Sequence, residues 1–219
     1  MTNWDLYILL HTVANRDVYS NWFPVDKFNV ELKAKNILHM ANRIGLPERY
    51  QPGTMRHGAS ASRKIEKDLL PFYILKKLEA VEQEIYVSDF FYIADFYTDE
   101  SISPEIIAHQ EFGQRINHPL RQATAEYPWA VLTQTGLKIY PSTITEAYVI
   151  WYRNPQEPNF ITTVSSNGEL VYDEISSTEL EWSDENKLMI LHMILQDAGI
   201  ITEKQDLEQL AQKLTETGM

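Results

Sequence analysis

The chain has 219 residues, 44% of them hydrophobic, with twelve Tyr, eight Phe, five Trp, no Cys and a formal net charge of −12. A chain of this length suits one domain and removes roughly 70% of its unfolded surface from water on folding. The composition excludes a disulfide framework, a zinc–thiolate site and a cysteine nucleophile, and the acidity argues against a general nucleic-acid binder.

Asn3 is placed to cap a first helix, with Trp4, Tyr7, Leu10 and Val13 at helical spacing, and Asn15-Arg16-Asp17 breaks the pattern. Pro24 suits the first turn of a second helix. Phe28, Leu32, Ile37, Leu38, Ala41 and Ile44 supply its apolar stripe, and Gly45 its stop. Residues 46–62 read as an extended loop holding Pro47, Pro52, Gly53 and Gly58. Residues 62–70 suit a short helix ending near Pro71.

The middle of the chain changes character. Tyr73 to Leu78, Ile85 to Val87 and Phe90 to Phe96 read as strands. Ser103-Pro104-Glu105 predicts a short helical stretch through about Asn117. Further strands are expected at Trp129 to Thr133, Leu137 to Tyr140 and Ala147 to Arg153. A hairpin is expected where Phe160 to Val164 and Glu169 to Tyr172 flank Asn167-Gly168. Ser183 then caps a helix with Leu188, Leu191, Ile194, Leu195 and Ala198 on its buried face and Gly199 as its stop. A last helix over about 203–216 carries Leu207, Leu210, Ala211 and Leu214 in one narrow stripe.

The expected fold is therefore α+β in a single domain, 1–219. It has a helical segment 1–45, the loop 46–62, a β-rich middle 63–182 with short helices, and a helical end 183–219. A helix pair at each end would flank a mainly antiparallel small sandwich or barrel-like sheet. No apolar run approaches the roughly 20 residues of a membrane span, and residues 1–10 lack the marks of a signal peptide, so no membrane partner is expected.

Charge is unevenly spread. Residues 46–77 hold seven basic and three acidic residues, a net +4, whereas residues 165–219 hold twelve acidic residues and three Lys, a net −9. Such polarity favours head-to-tail contacts between copies, and it equally serves solubility. Arg49, Arg56, Arg63 and Lys64, with Tyr50 and His57, could meet a phosphate backbone or a neighbouring chain by charge alone; a solvated loop is the plainer alternative. The last helix either packs on its own domain or docks as an arm in a partner's groove through Leu207, Leu210, Ala211 and Leu214. The six His show no His-x-x-x-His pair, and there is no nucleophile elbow, phosphate loop or dinucleotide fingerprint. Asp99-Glu100, Asp173-Glu174 and Asp184-Glu185 lie in turns or helix starts, where capping is the usual role and acid–base catalysis the alternative. No catalytic residue, metal or cofactor is expected.

The order of landmarks carries a resemblance. Two helices, the second spanning Phe28 to Ala41, precede a variable loop. Lys67-Asp68-Leu69-Leu70-Pro71-Phe72 follows, then Tyr86-Val87-Ser88-Asp89-Phe90-Phe91-Tyr92-Ile93. Next come Arg115-Ile116-Asn117-His118-Pro119, Thr124-Ala125-Glu126-Tyr127-Pro128, Leu137-Lys138-Ile139-Tyr140-Pro141 and the run Ala147 to Pro155. Leu180-Glu181-Trp182, an acidic cap, an apolar helix, Ala198-Gly199-Ile200 and a short last helix close the series. This order resembles the head–tail connector (neck, adaptor ring) proteins of short-tailed and crAss-like bacteriophages, with Val87-Ser88 where that family usually has Leu-Pro. The resemblance implies a structural virion subunit at the neck, assembled in the host cytoplasm. It implies a homo-oligomeric ring, commonly of twelve copies, that binds the portal and further neck or tail proteins. DNA would pass through the ring without sequence specificity. It carries no catalytic site, and it makes the C-terminal region the candidate for portal docking. Another virion subunit such as a tail component, a carboxylate-based hydrolase and a cellular binding module remain alternatives.

Overall fold

The computed structural model describes residues 1–14, 22–45, 67–98, 105–107, 109–118 and 122–200. The fold is α+β with mainly antiparallel sheets. The chain forms two compact units, one from residues 1–71 and 155–219 and the other from 72–154. Among the described residues no helix is long and apolar enough to cross a membrane.

The first unit is built on helices α1 (Asn3–Val13), α2 (Val25–Ile44) and α4 (Asp184–Asp197), with the hairpin β8 (Thr162–Val164) and β9 (Leu170–Tyr172). Its α1 is capped one residue earlier than expected. Thr2 Oγ1 accepts the Asp5 N–H at 3.2 Å and Asp5 Oδ2 accepts the Thr2 N–H at 2.6 Å, a reciprocal capping box. Asn3 is instead buried, and its side chain donates to the Thr178 carbonyl at 2.9 Å. Phe160 packs against Trp4, Tyr7, Phe28 and Tyr172. The Asn29 side chain grips the Phe160 backbone at both its N–H and its C=O, each at 2.8 Å, so a loop residue is fixed as firmly as a strand pair would fix it.

The apolar stripe expected on α2 divides between two sides. Phe28 and Leu32 are fully buried, but the inward row continues through Asn36, His39 and Met40, while Ile37 and Leu38 are exposed. The reason is the partner: Trp182 presents an indole N–H, and Asn36 Oδ1 accepts it at 2.7 Å, so polar groups hold the place that hydropathy assigned to Ile37. In α4 the expected apolar face is buried, but Ser183 caps differently. Its hydroxyl accepts the Asn186 side-chain N–H at 2.8 Å and makes no side-chain bond to the helix backbone.

The second unit contains β1 (Tyr73–Glu79), β2 (Glu84–Tyr86), β3 (Phe90–Tyr97), β4 (Glu105–Ile107), α3 (His109–Ile116), β5 (Trp129–Leu132), β6 (Gly136–Tyr140) and β7 (Glu146–Arg153). Three strands lie in the order β1-β7-β3 and four in the order β2-β6-β5-β4. Residues from both sheets, among them Ile85, Phe96, Leu137, Ile139, Val149 and Trp151, share one buried core. The helix expected from Glu105 is replaced by β4, paired in parallel with β5, and α3 begins only at His109. Because β1 and β7 are antiparallel neighbours with Tyr73 opposite Tyr152, the chain leaves this unit beside the point where it came in.

Two backbone details depend on residue type. The β1–β2 turn places Glu82 and Gln83 at φ of 53° and 71°, the mirror-image turn that matches strand twist. At Gly136, a Cβ would lie 2.0 Å from the Ile85 carbonyl oxygen, so only glycine allows β6 to lie this close to β2. Gly136→Ala is therefore expected to destabilise the protein by about 2 kcal/mol or more. Gly113→Ala, in α3 with open space at its Cβ, is expected to gain about 0.5–1 kcal/mol. Urea unfolding of the two variants checks both signs.

Candidate functional site

A three-stranded sheet has two faces, and only one of them meets the core of the second unit. Inward along β7 are Ala147, Val149 and Trp151; outward are Glu146, Tyr148, Ile150 and Tyr152. Register carries this division to both neighbours. Tyr73, Tyr152 and Tyr92 lie side by side, followed by a row of Leu75, Ile150 and Asp95, then Lys77, Tyr148 and Tyr97, with Glu79 and Glu146 at the end. Two register shifts in β3, between Phe90 and Tyr92 and between Ile93 and Asp95, create this alignment. They let Ile93 and Phe96 both turn inward while Tyr92, Asp95 and Tyr97 turn out.

The outer face is thus five tyrosines and two aliphatic residues with a charged fringe. Tyr73 is 40% exposed, Leu75 47% and Tyr92 45%. The rings support one another: Tyr97 and Tyr148 stack at 4.9 Å between centroids, and Tyr73 meets Tyr152 edge-on at 6.0 Å. Lys77 bonds Glu146 at 2.7 Å and lies 5.5 Å from the Tyr148 ring centroid. An antiparallel sheet facing water normally alternates apolar-in with polar-out. A partly exposed aromatic face has the composition of a protein–protein contact, where tyrosine offers apolar area and a hydroxyl at low entropic cost.

The first unit holds a different kind of centre, a buried polar network between α2 and α4. The His39 ring N–H donates to Asn186 Oδ1 at 3.1 Å, and Arg43 donates to the same oxygen at 2.5 Å. Arg43 also approaches Met189 Sδ at 3.2 Å and Asp68 at 3.4 Å, and the Trp182 ring meets His39 edge-on at 4.7 Å. Burial, reinforced by the Arg43 charge, pushes His39 down to about 4 against the opposing effects of Asn186 and Asp68. The imidazole is therefore neutral at physiological pH, and the network fastens one helix to the other.

Leu207, Leu210, Ala211 and Leu214, and the loop residues Arg49, Arg56, Arg63 and Lys64, lie outside the described residues, as does Asp99-Glu100. Of the other acidic pairs, Asp173 accepts the Ser176 N–H at 3.1 Å, and bonds from Ser176 hold its carboxyl below the usual range. Asp184 bonds the Met1 amine at 3.1 Å. Both carboxylates shape a turn or a helix start. Among the described residues no group of three or more His, Asp or Glu could hold a metal ion. The tyrosine face was not singled out from the sequence, although its signal is there: Tyr148, Ile150 and Tyr152 alternate with core residues, but only strand pairing shows that Tyr73 and Tyr92 join them.

A depressed histidine stabilises the fold only while it is neutral. That contribution is complete above about pH 6.5 and is lost as pH falls towards 4, because the unfolded chain takes up a proton that the folded chain refuses. From this group alone the loss is expected to reach about 3 kcal/mol. Urea unfolding of the wild type and of His39→Gln between pH 7 and 4 checks it, since the variant is expected to lose that component of the slope. Neither a protein-family model nor a curated protein sequence matches this chain.

Proposed function

We propose that this chain is a non-enzymatic assembly subunit, one copy of a homo-oligomeric head–tail connector ring in a bacteriophage virion. In this reading the ring binds a portal protein and further neck or tail proteins and continues the DNA channel. The observation that carries the assembly reading is the outward tyrosine face of β1-β7-β3, apolar surface that water penalises and a neighbouring copy would cover. The virion and portal assignments rest on the order of sequence landmarks described above.

Two further features support this reading. The charge difference between residues 46–77 and 165–219 suits head-to-tail contacts, which close into rings when the rotation allows. A net charge of −12 suits a wall along which DNA slides, since each gripping contact would need a cation at a phosphate. Arg49, Arg56, Arg63 and Lys64 are the candidates for a local DNA or neighbour contact. The finer architecture we propose is a small sandwich or barrel-like sheet in the β-rich middle of the chain, with a helix pair at each end of the sequence.

Electron microscopy of the concentrated chain tests the proposal. Closed annular particles with a central channel are expected; single particles of one chain's size, or open filaments, would contradict it. Leu75→Glu, which puts a charge on the tyrosine face, is expected to weaken association at least tenfold, a change of about 1.4 kcal/mol or more. Val164→Glu, on an apolar residue 68% exposed in the other unit, is expected to leave it unchanged. Light scattering across a dilution series reads both, with circular dichroism confirming that each variant is folded.

A further inference from the structure

The tip of the β8–β9 hairpin places a nucleophile and its target in adjacent residues. Asn167 is followed by Gly168, and no other asparagine of the chain precedes a glycine. Both residues are exposed. The loop is of the three-residue kind. The Ser165 N–H donates to the Glu169 carbonyl at 2.8 Å, the Gly168 N–H donates to the Ser165 carbonyl at 2.9 Å, and Gly168 stands at φ 82°. A Cβ placed on Gly168 would meet nothing within 4 Å, so the space beside this peptide is open.

We infer that Asn167 is a site of spontaneous covalent modification in the folded protein. The Gly168 backbone nitrogen gives up its proton and attacks Cγ of the Asn167 side chain. A new C–N bond closes a cyclic imide, the Cγ–Nδ2 bond breaks, and the amide nitrogen leaves as ammonia. Water then opens the ring at either carbonyl. One opening gives an aspartyl residue. The other gives an isoaspartyl residue, whose main chain runs through the former side chain and is longer by one carbon. Glycine matters at position 168 because a side chain there would crowd the attacking nitrogen.

The hydrogen bonds of the tip set the rate. In the closed turn the Gly168 N–H is engaged by the Ser165 carbonyl, and the turn fixes the angle between that nitrogen and the Asn167 side chain. The tip must open first, and it is lightly held. Among the described residues β8 and β9 pair only with each other, through three residue pairs, and a two-stranded hairpin is marginally stable by itself. Ser165 Oγ accepts the Asn167 and Glu169 N–H groups, each at 3.3 Å. Val164 and Val171 beside the tip are 68% and 46% exposed, so little apolar burial supports it. The base of the hairpin is firmer, because Tyr172 stacks on Trp4 and Phe160. Fraying of the tip therefore frees the Gly168 N–H without unfolding the helical unit. An isoaspartyl link would put an extra backbone atom between Ser165 and Glu169, and the same two bonds could no longer close the loop.

This chemistry is independent of any association between copies. The full chain is warmed at mildly alkaline pH and digested, and its peptides are separated by reversed-phase chromatography with mass detection. The Asn167→Asp variant supplies the standard for the aspartyl product. Two products of equal mass are expected from the peptide holding Asn167, one eluting with the standard and the isoaspartyl form apart from it. Every other asparagine is expected to convert far more slowly, since none precedes glycine. Unfolding in urea is expected to speed conversion of Asn167 about tenfold. Ser165→Ala, which removes the hydroxyl holding two N–H groups of the tip, is expected to raise the folded rate about threefold with circular dichroism unchanged. A folded chain whose Asn167 stays intact while the unfolded chain converts would overturn the inference. Equal rates in the folded and unfolded chains, or a rate unaltered in Ser165→Ala, would also overturn it, because opening of the tip would then not govern the reaction.

Discussion

The constraint on which this molecule turns is that a sheet of three strands has two faces and its unit supplies one core. Val149, Trp151, Ile93 and Phe96 spend one face of β1-β7-β3 on that core. The other face carries Tyr73, Tyr92, Tyr97, Tyr148 and Tyr152 around Leu75 and Ile150, with Lys77, Glu79, Asp95 and Glu146 at its fringe. Burial of apolar area is worth roughly 25 cal/mol per Å², so a half-exposed face of this kind leaves free energy that association between copies would release. The two bulges in β3 sharpen the point. They keep Tyr92, Asp95 and Tyr97 in file with β7, where unbroken alternation would scatter them between the faces.

The helical unit meets a different demand, that of holding segments far apart in sequence. Asn29 grips Phe160, Asn36 accepts from Trp182, and Asn186 joins His39 to Arg43. Each of these polar groups is buried or partly buried and satisfied, and truncating one would strand its partner away from water. A second unit inserted between Pro71 and Pro155 requires this kind of lock, because residues on either side of the insertion must still find each other. The Asn36–Trp182 bond reaches across that gap.

Much of this was legible locally. Helices α1, α2 and α4, strand β7 and the Asn167-Gly168 hairpin all follow from periodicity and turn chemistry, because the signals lie within a few residues. Where the reading went astray, the deciding partner was distant. Glu105 looked like a helix start after Ser103-Pro104, yet it pairs with Trp129 in the parallel β4–β5 ladder. Ile37 and Leu38 looked like core, yet Trp182 and Asn186 draw Asn36 and His39 inward instead. Asn3 looked like a cap, yet Thr178 and Glu179 claim it from across the unit. The tyrosine face escaped notice for the same reason, since it exists only once three strands are in register. Of the candidate residues read from sequence, the C-terminal leucines and the basic loop fall outside the described residues.

Hydroxyl-radical footprinting of the tyrosines, read by mass spectrometry at low and high protein concentration, tests the central claim most directly. Tyr127, 76% exposed and not part of the three-stranded sheet, serves as the internal reference. The account predicts that Tyr73 and Tyr92 lose reactivity severalfold as concentration rises while Tyr127 does not. Equal reactivity of Tyr73, Tyr92 and their surroundings at both concentrations would mean that no copy covers this face, and the account would be wrong.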